Sequence, residues 1–304
     1  MTADTGYSSP QYWEALGMGG TVSPLTKSGG AMIVRAIPGS GEELDAIAPY
    51  PFLCCTDWAA LEADMGGLPR NLVSVTAVTD PLGNADEALL RRCFNHMVRS
   101  YKTHYTIGLT APLESFADPH HLGCARKALK KLDIEVCADP EAHIGDWLRL
   151  YANLVARHGI GKAARMSEAS LRMQMRVPGA RLFRAARTGR TVGMIMVMET
   201  APRAYFHLGA YDAEGYRLNA SYALVAAVIR HYAAKGFTFL SIGAGAGAFG
   251  DGESGLTAFK KGWASGQRMT WLCGHIADRE RYDRLTLGMP DGTYFPGYRA
   301  GEYD

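Results

Sequence analysis

The sequence has little excess charge, and this absence limits what it can bind by charge alone. Its 32 lysines and arginines nearly balance 30 acidic residues, so the formal net charge is only +2. A protein that holds duplex nucleic acid over a broad surface usually has a large positive excess. The composition therefore does not indicate such a protein, and it leaves room for local basic patches. With 47% apolar residues, the chain can bury a full core.

Long apolar runs, secretion signals and metal-binding cysteine spacings are also missing. No uninterrupted apolar segment approaches the roughly 18 residues of a membrane helix. The first residues, MTADTGYSSPQYWEALG, lack a basic start followed by an apolar run. The six cysteines show no CxxC spacing, and His120-His121 has no partner ligands at metal spacing. These absences predict a cytoplasmic protein with reduced thiols, without a membrane span and without a metal site.

The most informative stretch is rich in glycine and covers residues 236–262, GFTFLSIGAGAGAFGDGESGLTAFKKG. A strand-like run opens it, a run of glycines follows, and a short amphipathic helix then carries Phe259, Lys260 and Lys261. This order is typical of a place where a polar group approaches the backbone closely. We expect Lys260 to meet an acyl carbonyl there. The alternative is a glycine-rich surface loop before an ordinary amphipathic helix.

Hydrophobic periodicity gives the second half of the chain a clear order of elements. It predicts two helices, at 146–157 and 167–176, and then three strands, at 180–187, 191–198 and 204–211. A long helix at 214–235, the glycine-rich strand–loop–helix at 237–262 and a closing strand at 269–276 follow. With a preceding strand, this order matches the acyltransferase fold of the GNAT superfamily. The first half alternates less regularly and includes a predicted helix over 85–99. We therefore predict a mixed α/β fold with two GNAT-like domains in tandem, 1–140 and 141–304, and a cleft between or beside them.

Short motifs spread over roughly residues 30 to 270 resemble those of the FemABX family. These are tandem-GNAT enzymes that transfer an amino acid from aminoacyl-tRNA to an amine. The matching pieces are PYPF (49–52), SVTAVTDP (74–81), HYTIGL (104–109), ARKA (125–128), YFHLGAYD (205–212), SIGAG (241–245) and LTAFK (256–260). The most specific feature is Phe259-Lys260 ahead of the Gly262-Trp263 pair.

The resemblance implies a role for each of several residues. Lys260 would stabilise the carbonyl oxygen under attack, Phe259 would wall the aminoacyl group, and Asp80 is a candidate base for the amine. The positions expected to bind substrate are Arg165, Tyr211, Tyr50 and Lys261. For Asp80 the alternative is a turn former before proline, and for Arg165 it is a solvated charge beside a helix.

The segment 212–221, DAEGYRLNAS, argues against coenzyme A as the donor. Acetyltransferases of this fold hold the CoA diphosphate there on backbone N–H groups at a helix start. Here Asp212 and Glu214 would repel a diphosphate, and Gly215 stands before Arg217 instead of after it. An aminoacyl-tRNA donor, with no separate cofactor, instead needs cations near its phosphates. The basic helix at 126–131 could supply them, although a solvated charged helix face is the more usual explanation of such a cluster.

The resulting hypothesis is an aminoacyltransferase that forms an amide bond between an amino acid from aminoacyl-tRNA and an amine. The acceptor would be a small peptide, a natural-product intermediate such as one in antibiotic biosynthesis, or a peptidoglycan-type precursor. A long charged insertion present in some relatives is missing here, which favours a small acceptor. The alternatives are an acyl-CoA-dependent N-acyltransferase and an inactive tandem-GNAT binding module.

Overall fold

The computed structural model describes residues 4–16, 19–69, 71–161, 165–245, 255–289 and 294–302. Its strands are β1 (Thr21–Leu25), β2 (Gly30–Ala36), β3 (Leu44–Ile47), β4 (Leu72–Val78), β5 (Met97–Gly108), β6 (Asp133–Val136), β7 (Ala180–Arg187), β8 (Arg190–Thr200), β9 (Arg203–Tyr211), β10 (Phe239–Ala244) and β11 (Gly266–Ile276). Its helices are α1 (Pro10–Ala15), α2 (Leu61–Met65), α3 (Glu87–Cys93), α4 (Pro119–Leu129), α5 (Ile144–His158), α6 (Glu168–Met175), α7 (Ala213–Arg217), α8 (Ala220–Ala234), α9 (Gly255–Lys261) and α10 (Arg279–Thr286). Among the described helices, none combines the length and apolar character that crossing a bilayer requires.

The chain divides into two compact units, and neither is continuous in sequence. The larger unit consists of Met1–Ala15 and Lys102–Arg268, and the smaller unit consists of Leu16–Tyr101 and Met269–Asp304. The predicted division at residue 140 concerned two copies of one fold, and it stays a prediction. The boundaries between the two compact units lie elsewhere, inside β5 and inside β11.

The larger unit is built on the strand order β5-β10-β9-β8-β7-β6. β6 to β9 are antiparallel neighbours, whereas β9 and β10 run parallel. A two-residue turn joins β7 and β8, with Thr188 at φ +46° and Gly189 at φ +82°. Positive φ at both positions is what a tight two-residue hairpin turn requires.

The core of the larger unit lies between this sheet and helices α4 and α8. Its fully buried members include Ile195 and Val197 of β8, Leu224 and Val228 of α8, and Trp263. α8 is apolar over most of its length because it packs against both α4 and the sheet. On α4, Ala125 and Ala128 face α8 and are buried, and the basic side chains that follow remain exposed.

The smaller unit has the strand order β1-β2-β3-β4-β11. β4 reads LVSVTAV and is buried along nearly its whole length, since it lies between parallel β3 and antiparallel β11. A separate apolar core forms under these strands from residues that include Met32, Leu61, Leu90 and Cys273.

Two element boundaries differ from the sequence predictions. The helix predicted over 85–99 ends at Cys93, and β5 starts at Met97. The helix stops because the Asn95 side chain donates to the Ile276 backbone oxygen at 3.0 Å and accepts from the Ile276 N–H at 2.9 Å. The long helix predicted over 214–235 is split into α7 and α8 by Asn219, which has φ +58°. Asparagine tolerates this left-handed conformation better than most residues, so the chain turns there without a glycine.

Candidate functional site

The pairing between β9 and β10 ends early and leaves an opening in the larger unit. The parallel register joins Phe239–Ser241 of β10 to Arg203–Tyr205 of β9, and β9 then continues to Tyr211 beside β8. Beyond Ser241, β10 changes register against β5 and pairs Ala244 with His104. Two parallel strands that separate in this way expose backbone groups to a ligand between them.

Lys260 reaches this opening from helix α9. Its ammonium Nζ donates a hydrogen bond to the backbone oxygen of Ala244 at the end of β10, at 2.6 Å. Gly243, with φ +82°, lies directly beside it, and a Cβ there would come within 2.9 Å of Nζ. The ammonium therefore points inward at the end of a strand, and a glycine provides the space for it.

The electrostatics around Lys260 favour loss of a proton. Burial, and to a smaller extent the charge of Lys102, lower the pKa of Lys260 from 10.5 to about 8. Burial together with the charges of Lys260 and Lys102 lowers the pKa of His104 to about 3. His104 Nδ1 lies 3.4 Å from the Ser241 hydroxyl. At neutral pH the site thus presents a neutral imidazole and ammonium groups, which suits a carbonyl oxygen that gains negative charge.

Phe259 packs into an aromatic cluster behind the lysine. Its ring centroid is 5.0 Å from that of Tyr222 and 5.6 Å from that of His121. Its backbone oxygen lies 3.1 Å from His121 Nε2. Gly262 contacts the same imidazole so closely that an added Cβ would come within 2.3 Å of it. This contact explains the glycine of the Gly262-Trp263 pair, while the role of Phe259 as a wall for the aminoacyl group stays a prediction.

Lys261, the neighbour of Lys260, is exposed at the end of α9. The two lysines therefore have the same charge and the same helix but different surroundings. Most of the predicted glycine-rich loop, residues 246–254, lies outside the described part of the chain.

Tyr211 lines a cleft of about 470 Å³ in the larger unit, at the end of β9. Tyr211 itself is buried, which raises the pKa of its hydroxyl, and its ring lies 5.5 Å from that of Tyr216. Arg157 stacks over the Tyr216 ring at 4.1 Å. Arg190 contacts Asp212 at 2.7 Å. The cleft therefore combines aromatic faces and guanidinium groups with the carboxylates of Asp212 and Glu214, and both carboxylates pair with Arg190.

Arg165 lies apart from these contacts in the connection between α5 and α6. It is exposed, and its Nε donates to the Ile160 backbone oxygen at 2.8 Å. This contact accounts for its position as a charge beside a helix end, and its predicted contact with the acceptor stays a prediction.

Asp80 and Tyr50 belong to the smaller unit. Asp80 is buried and forms a turn: Oδ1 accepts from the Leu82 backbone N–H at 2.8 Å, and the Cys54 thiol lies 4.0 Å from Oδ2. The turn-forming alternative for Asp80 is therefore present in the structure, and its role as a base stays a prediction. Tyr50 precedes a cis peptide bond to Pro51, and 53% of its surface is exposed.

A buried polar chain surrounds His207, and no local sequence pattern indicates it. His207 is the extra residue of a bulge in β9, since Phe206 and Leu208 pair with consecutive residues of β8. Its Nδ1 lies 2.9 Å from the Tyr7 hydroxyl, and its Nε2 lies 2.9 Å from Gln174 Oε1. Burial lowers the pKa of His207 to about 4. These partners come from α6 and the N-terminal segment, far away in sequence, so local patterns give no signal for them.

A family model described as an acetyltransferase (GNAT) domain matches residues 122–261. No curated protein matches the chain. Among solved structures, FemX superposes with a TM-score of 0.67 at 12% identity, covering 91% of this chain and 93% of that chain.

Two further solved structures share the fold. The C-terminal domain of a putative lysylphosphatidylglycerol synthetase from Agrobacterium fabrum has a TM-score of 0.56 at 16% identity, covering 89% of this chain and 88% of that one. L-PGS from Bacillus licheniformis has a TM-score of 0.56 at 11% identity, covering 90% and 94%. The predicted GNAT-type mixed α/β fold and the resemblance to Fem-type proteins are confirmed at this level.

Proposed function

We propose that this chain, which shares the fold of FemX and carries a GNAT domain, is an aminoacyltransferase that moves an amino acid from aminoacyl-tRNA to an amine. The observation that carries the proposal is the half-buried ammonium of Lys260, held against the Ala244 oxygen where β10 leaves β9. The acceptor would be an amine of a small peptide, a natural-product intermediate or a peptidoglycan-type precursor.

The proposed chemistry needs little beyond positioning and charge. The amine nitrogen attacks the ester carbonyl carbon, the carbonyl oxygen becomes an oxyanion, and collapse of the intermediate breaks the ester bond. The amine proton goes to the ribose oxygen that leaves. In this scheme the Lys260 ammonium turns from the Ala244 oxygen to the oxyanion, a type of contact worth about 3 to 4 kcal/mol in a site from which water is excluded.

The geometry at the start of α7 supports tRNA over coenzyme A as the donor. Asp212 Oδ1 accepts a hydrogen bond from the Gly215 backbone N–H at 2.8 Å, so this carboxylate occupies the helix start where a diphosphate would bind. A Cβ on Gly215 would come within 2.1 Å of the Val192 oxygen, so this position has no room for a side chain. Glu214 adds a second negative charge nearby.

Basic side chains elsewhere in the larger unit would contact the phosphates of an RNA backbone. The exposed basic side chains in the second half of α4 and just after it are Arg126, Lys127, Lys130 and Lys131. In the larger unit, Arg157 lines the cleft that also contains Tyr211, whereas Arg190 of the same cleft is paired with Asp212 and Glu214. Contacts of this kind with phosphates and a terminal base would be strongly dependent on salt.

The second candidate function is acyl-CoA-dependent N-acylation, which the match to an acetyltransferase family model favours. Incubation with a panel of amines and either charged tRNA or acetyl-CoA separates the two. The proposal expects amide product with charged tRNA, abolished by prior RNase treatment. Product from acetyl-CoA alone would establish the second candidate. Binding of either donor without product in any combination would point to an inactive binding module.

Two adjacent lysines provide a matched test of the catalytic role. Lys260→Ala should lower kcat by about 10²- to 10³-fold, because one oxyanion donor is lost. Lys261→Ala removes the same charge from the same helix, but from an exposed position. It should raise KM for tRNA and retain kcat. Equal losses of kcat in the two variants would contradict the assignment of Lys260.

A further inference from the structure

Three side chains with different donor atoms meet at the edge strand β6 of the larger unit. Glu135 lies in β6, Cys137 directly follows it, and His143 ends a short 3-10 turn, Glu141–His143. One carboxylate oxygen, the thiol sulfur and one imidazole nitrogen all lie within 4.8 Å of one another. A carboxylate, a thiol and an imidazole are a set of metal ligands, and none of them takes part in the proposed acyl transfer.

The local backbone holds these three residues together without help from a ligand. Glu135 and Cys137 are two residues apart in extended chain, so their side chains leave the same face of the strand. The Cys137 backbone N–H donates to the Leu182 oxygen of β7 at 2.8 Å, which continues the ladder. After it, the Asp139 side chain accepts from the Glu141 N–H at 3.0 Å. This turn brings His143 back to the end of the strand.

Arg184 of β7 forms an ion pair with Glu135 of this group, and the pair has two opposite effects on metal binding. Its Nη1 donates to Glu135 Oε1 at 2.8 Å, and its other nitrogens donate to Thr191 Oγ1 at 2.7 Å and to the Gly189 oxygen at 2.6 Å. A guanidinium this close opposes an incoming cation by Coulomb repulsion. It also fixes the carboxylate through one oxygen, as outer-shell partners of metal-binding carboxylates do.

The donor set determines which ion fits. A thiolate with an imidazole and a carboxylate is typical of Zn²⁺, whereas Mg²⁺ and Ca²⁺ prefer sites made only of oxygen. We propose that Glu135, Cys137 and His143 bind a zinc ion, with water in a fourth, open position. The thiol proton passes to solvent as the metal–sulfur bond forms. Small side-chain rotations are needed, because bond lengths of about 2.0 to 2.3 Å draw the three atoms closer together.

The consequence for the fold would be a clamp between a strand end and a helix start. Helix α5 begins at Ile144, directly after His143. A metal held by β6 and this turn would tie the first residues of α5 to the edge of the sheet. Binding only to the folded state stabilises it, and this effect grows with metal concentration.

The test is a cobalt titration of the full chain under reducing conditions. Co²⁺ reports its ligands by absorption, with a thiolate-to-metal charge-transfer band and the intense visible bands of four-coordinate geometry. The wild type should bind one Co²⁺ with both features, and Zn²⁺ should displace it. Cys137→Ser should abolish the charge-transfer band, and His143→Ala should weaken binding by well over about tenfold. Because His143 is only half-buried, the second variant tests the site even if the first one fails to fold.

Cys124→Ser serves as the control, since Cys124 on α4 lies 3.5 Å from His120 Nε2 and forms a separate cysteine–histidine contact. This variant should keep the wild-type spectrum. A charge-transfer band that survives in Cys137→Ser, that disappears in Cys124→Ser, or that never forms in the wild type at stoichiometric metal would overturn the proposal.

Discussion

Lys260 combines a position suited to catalysis with an unfavourable contribution to stability. Its ammonium is half-buried beside the Ala244 oxygen, and burial holds its pKa near 8 instead of 10.5. A charged group that is partly removed from water costs free energy in the folded state unless its contacts compensate fully. Active sites commonly retain such costs because the charge is needed in the transition state.

This cost predicts how stability depends on pH. Below pH 8 the folded and unfolded chains both carry the Lys260 proton, so the penalty is fully present. Between about pH 8 and 10.5 the folded chain loses this proton first, the unfolded chain binds more protons, and this residue's contribution to the free energy of unfolding rises. Lys260→Met should therefore be more stable than the wild type at pH 7, by on the order of 1 to 3 kcal/mol.

Urea denaturation at pH 7 and at pH 9.5 measures the effect. The difference between variant and wild type should shrink at the higher pH, where the wild type has lost much of the penalty. Lys261→Met is the comparison, because its side chain is exposed and should change stability little at either pH. A Lys260→Met variant that is less stable than the wild type at pH 7 would show that the contact with Ala244 outweighs the cost of burial.

Gly243 and Gly236 give a second matched pair at the residue scale. Both have positive φ, +82° and +74°, so alanine at either position should cost about 1 to 2 kcal/mol of stability. A Cβ at Gly243 would also come within 2.9 Å of the Lys260 ammonium, whereas one at Gly236 meets nothing within 4 Å. Gly243→Ala should thus lower transfer activity at least about tenfold through the displaced cation. Gly236→Ala should keep it, and an equal loss in both variants would show that backbone strain alone is responsible.

At the scale of elements, the polar chain around His207 attaches the N-terminal segment and α6 to the sheet. With Gln174 Oε1 as acceptor, His207 Nε2 carries the proton and Nδ1 accepts from the Tyr7 hydroxyl. The Gln174 amide nitrogen donates to Ser170 Oγ at 3.0 Å, and Ser170 donates to the Ala15 oxygen. Each buried polar group therefore has a partner, and each depends on the next one.

Gln174→Ala should destabilise the protein by about 1 to 3 kcal/mol, because it leaves the His207 N–H and the Ser170 hydroxyl short of a buried partner. Met173→Ala, the adjacent position on α6, is 41% exposed and should change stability by no more than about 0.5 kcal/mol. Thermal and chemical denaturation would check both. If the two variants behaved alike, the chain of hydrogen bonds would contribute nothing to stability.

The elements that local patterns predicted well are those whose signals are themselves local. β7 matches its predicted range, 180–187, because its apolar residues are bounded there by turn residues. Asp57, Asp118 and Ser167 cap helices as such residues do, each accepting a backbone N–H near the helix start. The prediction for Lys260 rests on signals of the same kind, a strand, glycines and a lysine close together in sequence, and its catalytic role stays a prediction.

Elements and contacts that depend on distant partners could not be predicted. Met97 fits the helical spacing of Leu89 and Cys93, yet it starts β5, since Asn95 is bound to the backbone of β11. β3 carries Asp45, a charged residue that argues against a buried strand until its partner Arg299 is known. The His207 chain and the Glu135–Cys137–His143 group join residues that only the folded chain brings together.

At the scale of the whole molecule, the smaller unit is completed by the C-terminal segment. Arg299 forms a buried pair with Asp45 of β3, with Nη2 at 2.9 Å from Oδ1, and the same nitrogen donates to the Ala36 oxygen at 2.7 Å. Glu302 binds both Arg299 and Arg35, at 3.2 and 3.0 Å. Arg299 and Glu302 thus tie the described C-terminal residues to strands β2 and β3 of the smaller unit.

This closure predicts that the C-terminal segment is essential for the smaller unit to fold. Arg299→Ala should cost about 3 to 5 kcal/mol, because it leaves the Asp45 carboxylate buried without its main partner. Arg279→Ala removes a cation from the same segment, where Arg279 forms an exposed pair with Asp283 at 3.2 Å, and should cost under about 0.5 kcal/mol. Hydrogen exchange would locate the effect, with faster exchange in β2, β3 and β4 for Arg299→Ala only. Unchanged protection of these strands would mean that the pair does not hold the C-terminal segment in place.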